Sequence, residues 1–338
     1  MQTPMSTGAS TIAAAAPNRR IAVIDVLKGV AILAMVVYHF AWDLSAYQLI
    51  ATDVTNELGW RIFARSIAAS FLLLVGINLV LAGRNGIRPA PYLRRLAVIL
   101  AAALAVSLGT WWLDPRTFVF FGILHQIFLA SILALPFLRA PAWVTLLAAA
   151  FFIADPQFLA SPVFDGWPWY WLGLSTVPPA TVDYVPVFPW FGVVLLGVAA
   201  GHGILARPGL PLWRWPATGR PARALALAGR WSLAIYLVHQ PLLIGGLMLA
   251  APLFGPSETA LRRQVFTEFE TSCAAVGYDE AACAAYAACI LGELDRHEGI
   301  LFDAARHQLS DEDRALWLGY IDDCRTRTLP APGLQNAI

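Results

Sequence analysis

Six ionisable side chains interrupt apolar stretches of this sequence: Asp25, Lys28, His39, Asp43, His125 and His239. Such groups are costly inside an apolar medium, which makes them the first candidates for chemistry. His39 and Asp43 are four residues apart and share one helical face, so the carboxylate can hold the imidazole in one tautomer and raise its basicity. That is the first half of a general-base dyad. Asp25 and Lys28, three apart, can pair on one face, and Lys28, the only lysine of the chain, is close enough to the helix start to snorkel. At about 1.5 Å per residue, His39 is expected roughly 21 Å further along the helix than Asp25. His125 stands in FGILHQIF beside Gln126, and His239 in GRWSLAIYLVHQP before Gln240-Pro241, a pair expected to loosen the helix. For each histidine the competing reading is a hydrogen bond that joins two helices. Asn78 and Tyr236 offer further polar groups to the same interior, and His202 falls at an interface. Arg61 and Arg65 are paired cations, fit to bind a ligand carboxylate or phosphate, or else to pair with Asp43 and Glu57. The membrane segments contain no metal-ligand spacing, no Gly-rich phosphate loop and no nucleophile elbow, so no metal is expected.

The elements that must position these groups are apolar helices. Of 338 residues, 58% are hydrophobic and 13% charged, against about 25% charged in soluble proteins. A bilayer core needs about 20 apolar residues per helix, and seven runs qualify: 21–42, 60–82, 95–113, 117–138, 142–160, 187–206 and 231–254. Residues 164–174, FDGWPWYWLGL, read as a re-entrant or interfacial helix because their aromatics suit the membrane interface. The expected fold is all-α: a transmembrane bundle of about seven spans with a small helical extramembrane module at the C-terminus. The expected divisions are a disordered cytoplasmic N-terminus (1–18), a transmembrane domain (19–255), a cysteine-bearing tail (256–327) and a frayed end (328–338). Residues 1–18 lack the apolar core of a secretory signal.

The net charge of +1 is a cancellation. Residues 1–255 hold 16 Lys/Arg and 8 Asp/Glu, while residues 256–338 hold 7 and 14. The arginines of the body fall in the gaps between spans, which excludes a nucleic-acid face and marks topology instead. Twelve lie on one side (Arg19, Arg20, Arg84, Arg88, Arg94, Arg95, Arg139, Arg207, Arg214, Arg220, Arg223, Arg230) and three on the other (Arg61, Arg65, Arg116). The positive-inside rule sets the twelve in the cytoplasm. An odd number of spans then delivers the tail to the periplasm of an inner-membrane protein. That compartment oxidises thiols, and all four cysteines, Cys273, Cys283, Cys289 and Cys324, lie in the tail. Two disulfides are expected, in one of three pairings. Zinc is the alternative, but no CxxC exists and His297 and His307 lack ligand spacing. Within the tail, residues 279–294 are alanine-rich, and Ser310 precedes three acids as the N-cap of a helix through Leu316 and Tyr320.

Arg20, Asp25, Lys28-Gly29, Ala31 and His39 resemble the opening helix of integral-membrane acyltransferases. SFLLLVGINLVLAGR, FGILHQI, FPWFGVVLLGVAAG and GRWSLAIYLVHQP, in that order, are more narrowly similar to the bacterial branch of the heparan-alpha-glucosaminide N-acetyltransferase catalytic-domain family, over about residues 19–245. The resemblance implies transfer of an acetyl or other acyl group from cytoplasmic acetyl-CoA or another acyl-CoA to an amino sugar or other glycan across the membrane. It implies His39, Asp25 and Lys28 at positions where related acyltransferases carry a histidine and an acid-base pair, with His125 and His239 inside matching segments. Arg94, Arg95, Arg223 and Arg230, within the inner-loop clusters, would then hold the donor's phosphates. Residues 45–60, where eukaryotic members carry their catalytic histidine, contain none, so the resemblance does not extend to heparan. The bilayer and the glycan acceptor are the expected partners, with a homodimer also open. Two other classes share such intramembrane groups: a proton-coupled secondary transporter, although no internal repeat is found, and a non-catalytic membrane protein with a periplasmic interaction module.

Thiol labelling of intact cells tests the tail. The four cysteines are expected to resist labelling until reductant is added; four freely reactive thiols in the folded protein would refute a disulfide-stapled external cap.

Overall fold

A computed structural model describes residues 21–255, 257–296 and 310–330. The expected disordered segment 1–18, Arg19, Arg20, His297, His307 and residues 331–338 lie outside the described residues. The described chain is helical: α1 (Ala22–Ala46), α2 (Leu58–Gly83), α3 (Pro89–Leu113), α4 (Ile123–Leu133), α5 (Ala142–Ala154), α6 (Val187–Leu205), α7 (Arg220–Arg230), α8 (Ser232–Phe254), α9 (Glu258–Ala275), α10 (Glu280–Leu294) and α11 (Asp311–Thr328). Among the described residues five helices are long and apolar enough to cross a membrane: α1, α2, α3, α6 and α8. The chain is a helical membrane protein.

Two of the seven expected spans are shorter than expected. Run 117–138 yields only α4, of 11 residues, and run 142–160 only α5, of 13. Residues 118–121 are not helical, and Phe121 bridges to Tyr184, so α4 begins only after its N-cap, Gly122. Pro136 and Pro141 then cut the chain between α4 and α5, since proline lacks the N–H that a continuing helix needs. Residues 164–174 do not form the expected re-entrant or interfacial helix; they carry single 3₁₀ turns at Pro162–Phe164 and Tyr170–Leu172. By contrast α8 runs without a break through Pro241, where loosening was expected.

The chain divides into two compact units, Met1–Ile32 with Ala69–Leu233, and Leu33–Ala68 with Ala234–Ile338, a division that cuts through α1 and α2. In the first unit α6 forms the centre, with Val194, Leu195 and Val198 fully buried and Phe152 packed on Phe188 and Phe191 at ring distances of 4.6 and 4.9 Å. Close backbone approach requires glycine here. A Cβ on Gly76 would stand 2.1 Å from the Val194 carbonyl oxygen, and one on Gly197 2.2 Å from that of Leu73. The amphipathic α7 docks on the start of α1 in the same way: a Cβ on Gly29 would meet the Leu225 oxygen at 2.0 Å, and one on Gly229 the Asp25 oxygen at 1.8 Å. Arg220, Arg223 and Arg230 all fall on the exposed face of α7.

In the second unit, helices α9 to α11 close a small core of Leu261, Val265, Tyr286, Ile290 and Leu294. Disulfides Cys273–Cys283 and Cys289–Cys324 join α9 to α10 and α10 to α11. In the chain-entropy account, loops of 10 and 35 residues correspond to roughly 3 and 4 kcal/mol. Asp279 and Ser310 cap α10 and α11 by accepting the amides of Ala282 and Asp313. The buried carboxylate of Glu293 is held from both sides, by Arg327 at 2.7 Å and Arg296 at 2.6 Å. The tail also grips the loop between α1 and α2. The Ser257 amide donates to the carbonyl of Gln48 at 2.8 Å, Gln48 and Gln264 bond side chain to side chain, and Arg263 bridges the Ala51 carbonyl and Glu57. Gln48 has φ of 57°, a left-handed conformation that few residues other than glycine adopt.

Gly197→Val is expected to destabilise by about 1–3 kcal/mol or more through overpacking, whereas Gly245→Ala, with nothing within 4 Å of the added carbon, stays within about 0.5 kcal/mol; thermal unfolding in detergent compares them. The Arg327 hydrogen bond, reinforced by Arg296, holds the Glu293 carboxyl below its ordinary range. Its contribution is therefore present above the unfolded carboxyl value and is lost as pH falls through the folded one. The stability gap between wild type and Glu293→Gln should narrow on acidification below about pH 4, read by denaturant unfolding at a series of pH values.

Candidate active site

The second unit brings together two of the histidines singled out by sequence. α1 carries His39 and, one turn on, Asp43; α8 carries His239 and Gln240. The rings of His39 and His239 meet edge to face with centroids 4.9 Å apart. Tyr38 flanks His39 at 5.5 Å and Tyr236 flanks His239 at 5.8 Å, and Tyr38 packs in turn on Trp60 and Phe63 of α2. The pair is enclosed by aromatic groups.

Hydrogen bonding fixes the protonation pattern of one ring. His239 Nδ1 lies 2.7 Å from the carbonyl oxygen of Tyr236. A carbonyl only accepts, so Nδ1 carries the proton and Nε2 carries the lone pair. His239 is 8% exposed, and its Nε2 is buried with no hydrogen-bond partner among the described residues. His39 is half-buried and its ring likewise makes no hydrogen bond among the described residues. The site therefore presents an imidazole in a defined tautomer with its basic nitrogen uncommitted.

Asp43 does not orient His39, as the four-residue spacing suggested. Its Oδ1 accepts from Gln240 Nε2 at 2.7 Å, and the carboxylate is 1% exposed. The reason is the approach of α8, which sets an amide donor against the carboxylate. Gln240 is the residue that sequence reading missed as a site group; its position beside His239 was the available signal. Glu57, the other partner considered for Arg61 and Arg65, is bonded to Arg263 instead. Arg61 and Arg65 are exposed and form no ion pair among the described residues.

The remaining candidates belong to the first unit. His125 has both ring nitrogens occupied. Nδ1 accepts the amide of Gly122 at 3.3 Å, capping the start of α4, and Nε2 lies 3.3 Å from Ser107 Oγ, whose own proton goes to the Val119 carbonyl at 2.6 Å. Lys28 Nζ donates to Asn78 Oδ1 at 3.3 Å, and Asn78 in turn bonds the Leu74 carbonyl at 2.5 Å. Asp25 sits where Gly229 of α7 meets α1. Arg94 is exposed and Arg95 half-buried near the start of α3, while through Nε Arg223 bonds the carbonyl of Gly219, just before α7, and Arg230 that of Ala226 within it. Among the described residues no group of three His, Cys, Asp or Glu side chains could hold a metal ion.

The chain matches the profile of the family described as heparan-alpha-glucosaminide N-acetyltransferase, catalytic, over residues 20–241, and it belongs to that family. The family is one of membrane acetyltransferases. Comparison with curated proteins and with solved structures gives no match. The matched region contains all four site residues, ends one residue after Gln240, and leaves the disulfide-bearing tail outside.

Proposed function

We propose that this membrane acetyltransferase takes an acetyl or other acyl group from cytoplasmic acyl-CoA and transfers it to an amino sugar or other glycan acceptor on the far side of the inner membrane. The observation that carries this reading is the uncommitted Nε2 of His239 beside His39. The acceptor nitrogen or oxygen attacks the thioester carbonyl carbon, and His239 Nε2 takes its proton. The carbon–sulfur bond then breaks and the proton passes to the leaving sulfur, so the products are the acylated acceptor and the free thiol. A ring N–H of His39 stabilises the negative charge that develops on the carbonyl oxygen.

The other residues act around this step. Arg223 and Arg230, with Arg94 and Arg95, bind the donor's phosphates; the single exposed arginine face of α7 supports this assignment. Arg61 and Arg65 hold a carboxylate or phosphate of the acceptor, and the absence of an ion pair to either among the described residues fits that role. Lys28, Asp25 and His125 position helices rather than react, because Lys28 is tied to Asn78, Asp25 stands at the α1–α7 contact and both nitrogens of His125 are occupied. The arginine asymmetry of the loops supports a cytoplasmic N-terminus and a periplasmic tail, where the disulfides are stable.

Inside-out vesicles given labelled acetyl-CoA test the reading. His239→Gln and His39→Ala are each expected to lower acyl transfer by roughly 10²–10⁴-fold. Proton-coupled uptake of a solute with no acyl transfer would overturn it.

A further inference from the structure

The two disulfides of the tail have different surroundings. Cys273 and Cys283 are 5% and 0% exposed and lie in the apolar core with Leu261, Val265 and Ile290. In the second pair only Cys324 is sealed, at 0%, while Cys289 is half-buried. Arg327, about one turn after Cys324 on α11, places Nη2 3.3 Å from Cys289 Sγ and 3.6 Å from Cys324 Sγ. The same nitrogen lies 2.7 Å from Glu293 and 2.7 Å from Asp323. Arg296 bonds Glu293 as well, at 2.6 Å, so two guanidiniums balance two carboxylates, and it is a guanidinium that touches the sulfurs. A disulfide sulfur accepts hydrogen bonds weakly, whereas a thiolate accepts them strongly. The contact therefore gains strength when the sulfur–sulfur bond opens, and the guanidinium, already fixed by two carboxylates, need not move.

We propose that Cys289–Cys324 is a site of thiol–disulfide exchange, at which the chain takes two electrons from a dithiol, while Cys273–Cys283 is held out of the reaction by burial. A thiolate of the dithiol attacks Cys289 Sγ, the more accessible sulfur. A new sulfur–sulfur bond forms there, the bond to Cys324 breaks, and the electron pair leaves on Cys324 Sγ as a thiolate. A buried thiolate is costly without a cation beside it, and Arg327 supplies that cation. The second thiol of the reductant, deprotonated, attacks the mixed disulfide and releases Cys289. The two protons lost by the dithiol end on the two cysteines, so the products are two protein thiols and the reductant's own disulfide. Exchange opens the link between α10 and α11 and leaves α9 stapled to α10. The residues of α9 that grip the loop after α1, Arg263 and Gln264, thus keep their own disulfide while α11 is released from its own. None of these steps uses a residue of the acyl-transfer reading.

Full-length protein in detergent allows the test with dithiothreitol as the probe. Samples quenched with acid at intervals are blocked with N-ethylmaleimide, and tandem mass spectrometry assigns the label to each cysteine. Cys289 and Cys324 should become labelled roughly ten-fold faster than Cys273 and Cys283, or more. With glutathione as the probe, the first mixed disulfide should be on Cys289. Arg327→Leu should slow the opening by about five-fold or more, and Arg327→Lys should restore part of the rate. Arg296→Leu removes a partner of Glu293 without touching sulfur and should change the rate by less than about two-fold; monodisperse elution and helical circular dichroism verify that each variant is folded. Equal rates at the two disulfides, earlier opening of Cys273–Cys283, glutathione on Cys324 before Cys289, or unchanged or faster opening in folded Arg327→Leu would each overturn the proposal.

Discussion

The hydrogen bond from His239 Nδ1 to the carbonyl of Tyr236 determines what the site can do. In water such a bond would contribute modestly and exchange with solvent. In an apolar bundle it sets the tautomer, because the alternative would place two acceptors against each other with no water to intervene. The bond lies within one turn of α8, so it forms whenever the helix forms. The uncommitted face of the imidazole is thereby built into local structure. His125 illustrates the opposite arrangement. Its ring is consumed by the start of α4 and by Ser107, and the same residue type becomes a helix cap.

What keeps the helices in register is backbone contact without side chains. Gly76 with Gly197, and Gly29 with Gly229, let neighbouring helices approach until carbonyl oxygens stand where a Cβ would be. Close approach of this kind replaces the hydrophobic drive that lipid surroundings remove. It also accounts for the glycine after Lys28: the arginine-bearing α7 can lie against α1 only because that position has no side chain.

The long apolar runs and the ionisable residues within them were legible in the sequence, because hydropathy and helical spacing are local properties. Five runs became membrane-length helices, while Pro136, Pro141 and the non-helical segment before Gly122 shortened the other two; apolar composition does not report where the backbone must turn. Partners across helices were not legible. His39 and Asp43 share a face, yet the carboxylate bonds to Gln240, nearly two hundred residues away. The conformation of Gln48 and its contacts to Ser257 and Gln264 were equally hidden, since each side of that junction reads as ordinary loop or surface.

That junction bears on the order in which the molecule can be completed. The loop after α1 is among the first segments to leave the ribosome, but its hydrogen-bonding partners lie more than two hundred residues later. Bringing such distant segments together is slow relative to local helix formation. The left-handed backbone at Gln48, unfavourable on its own, lacks its bonds to Ser257 and Gln264 until those residues have been made. A newly inserted first helix therefore lacks the contacts of the loop that follows it until residues 257–264 have been made.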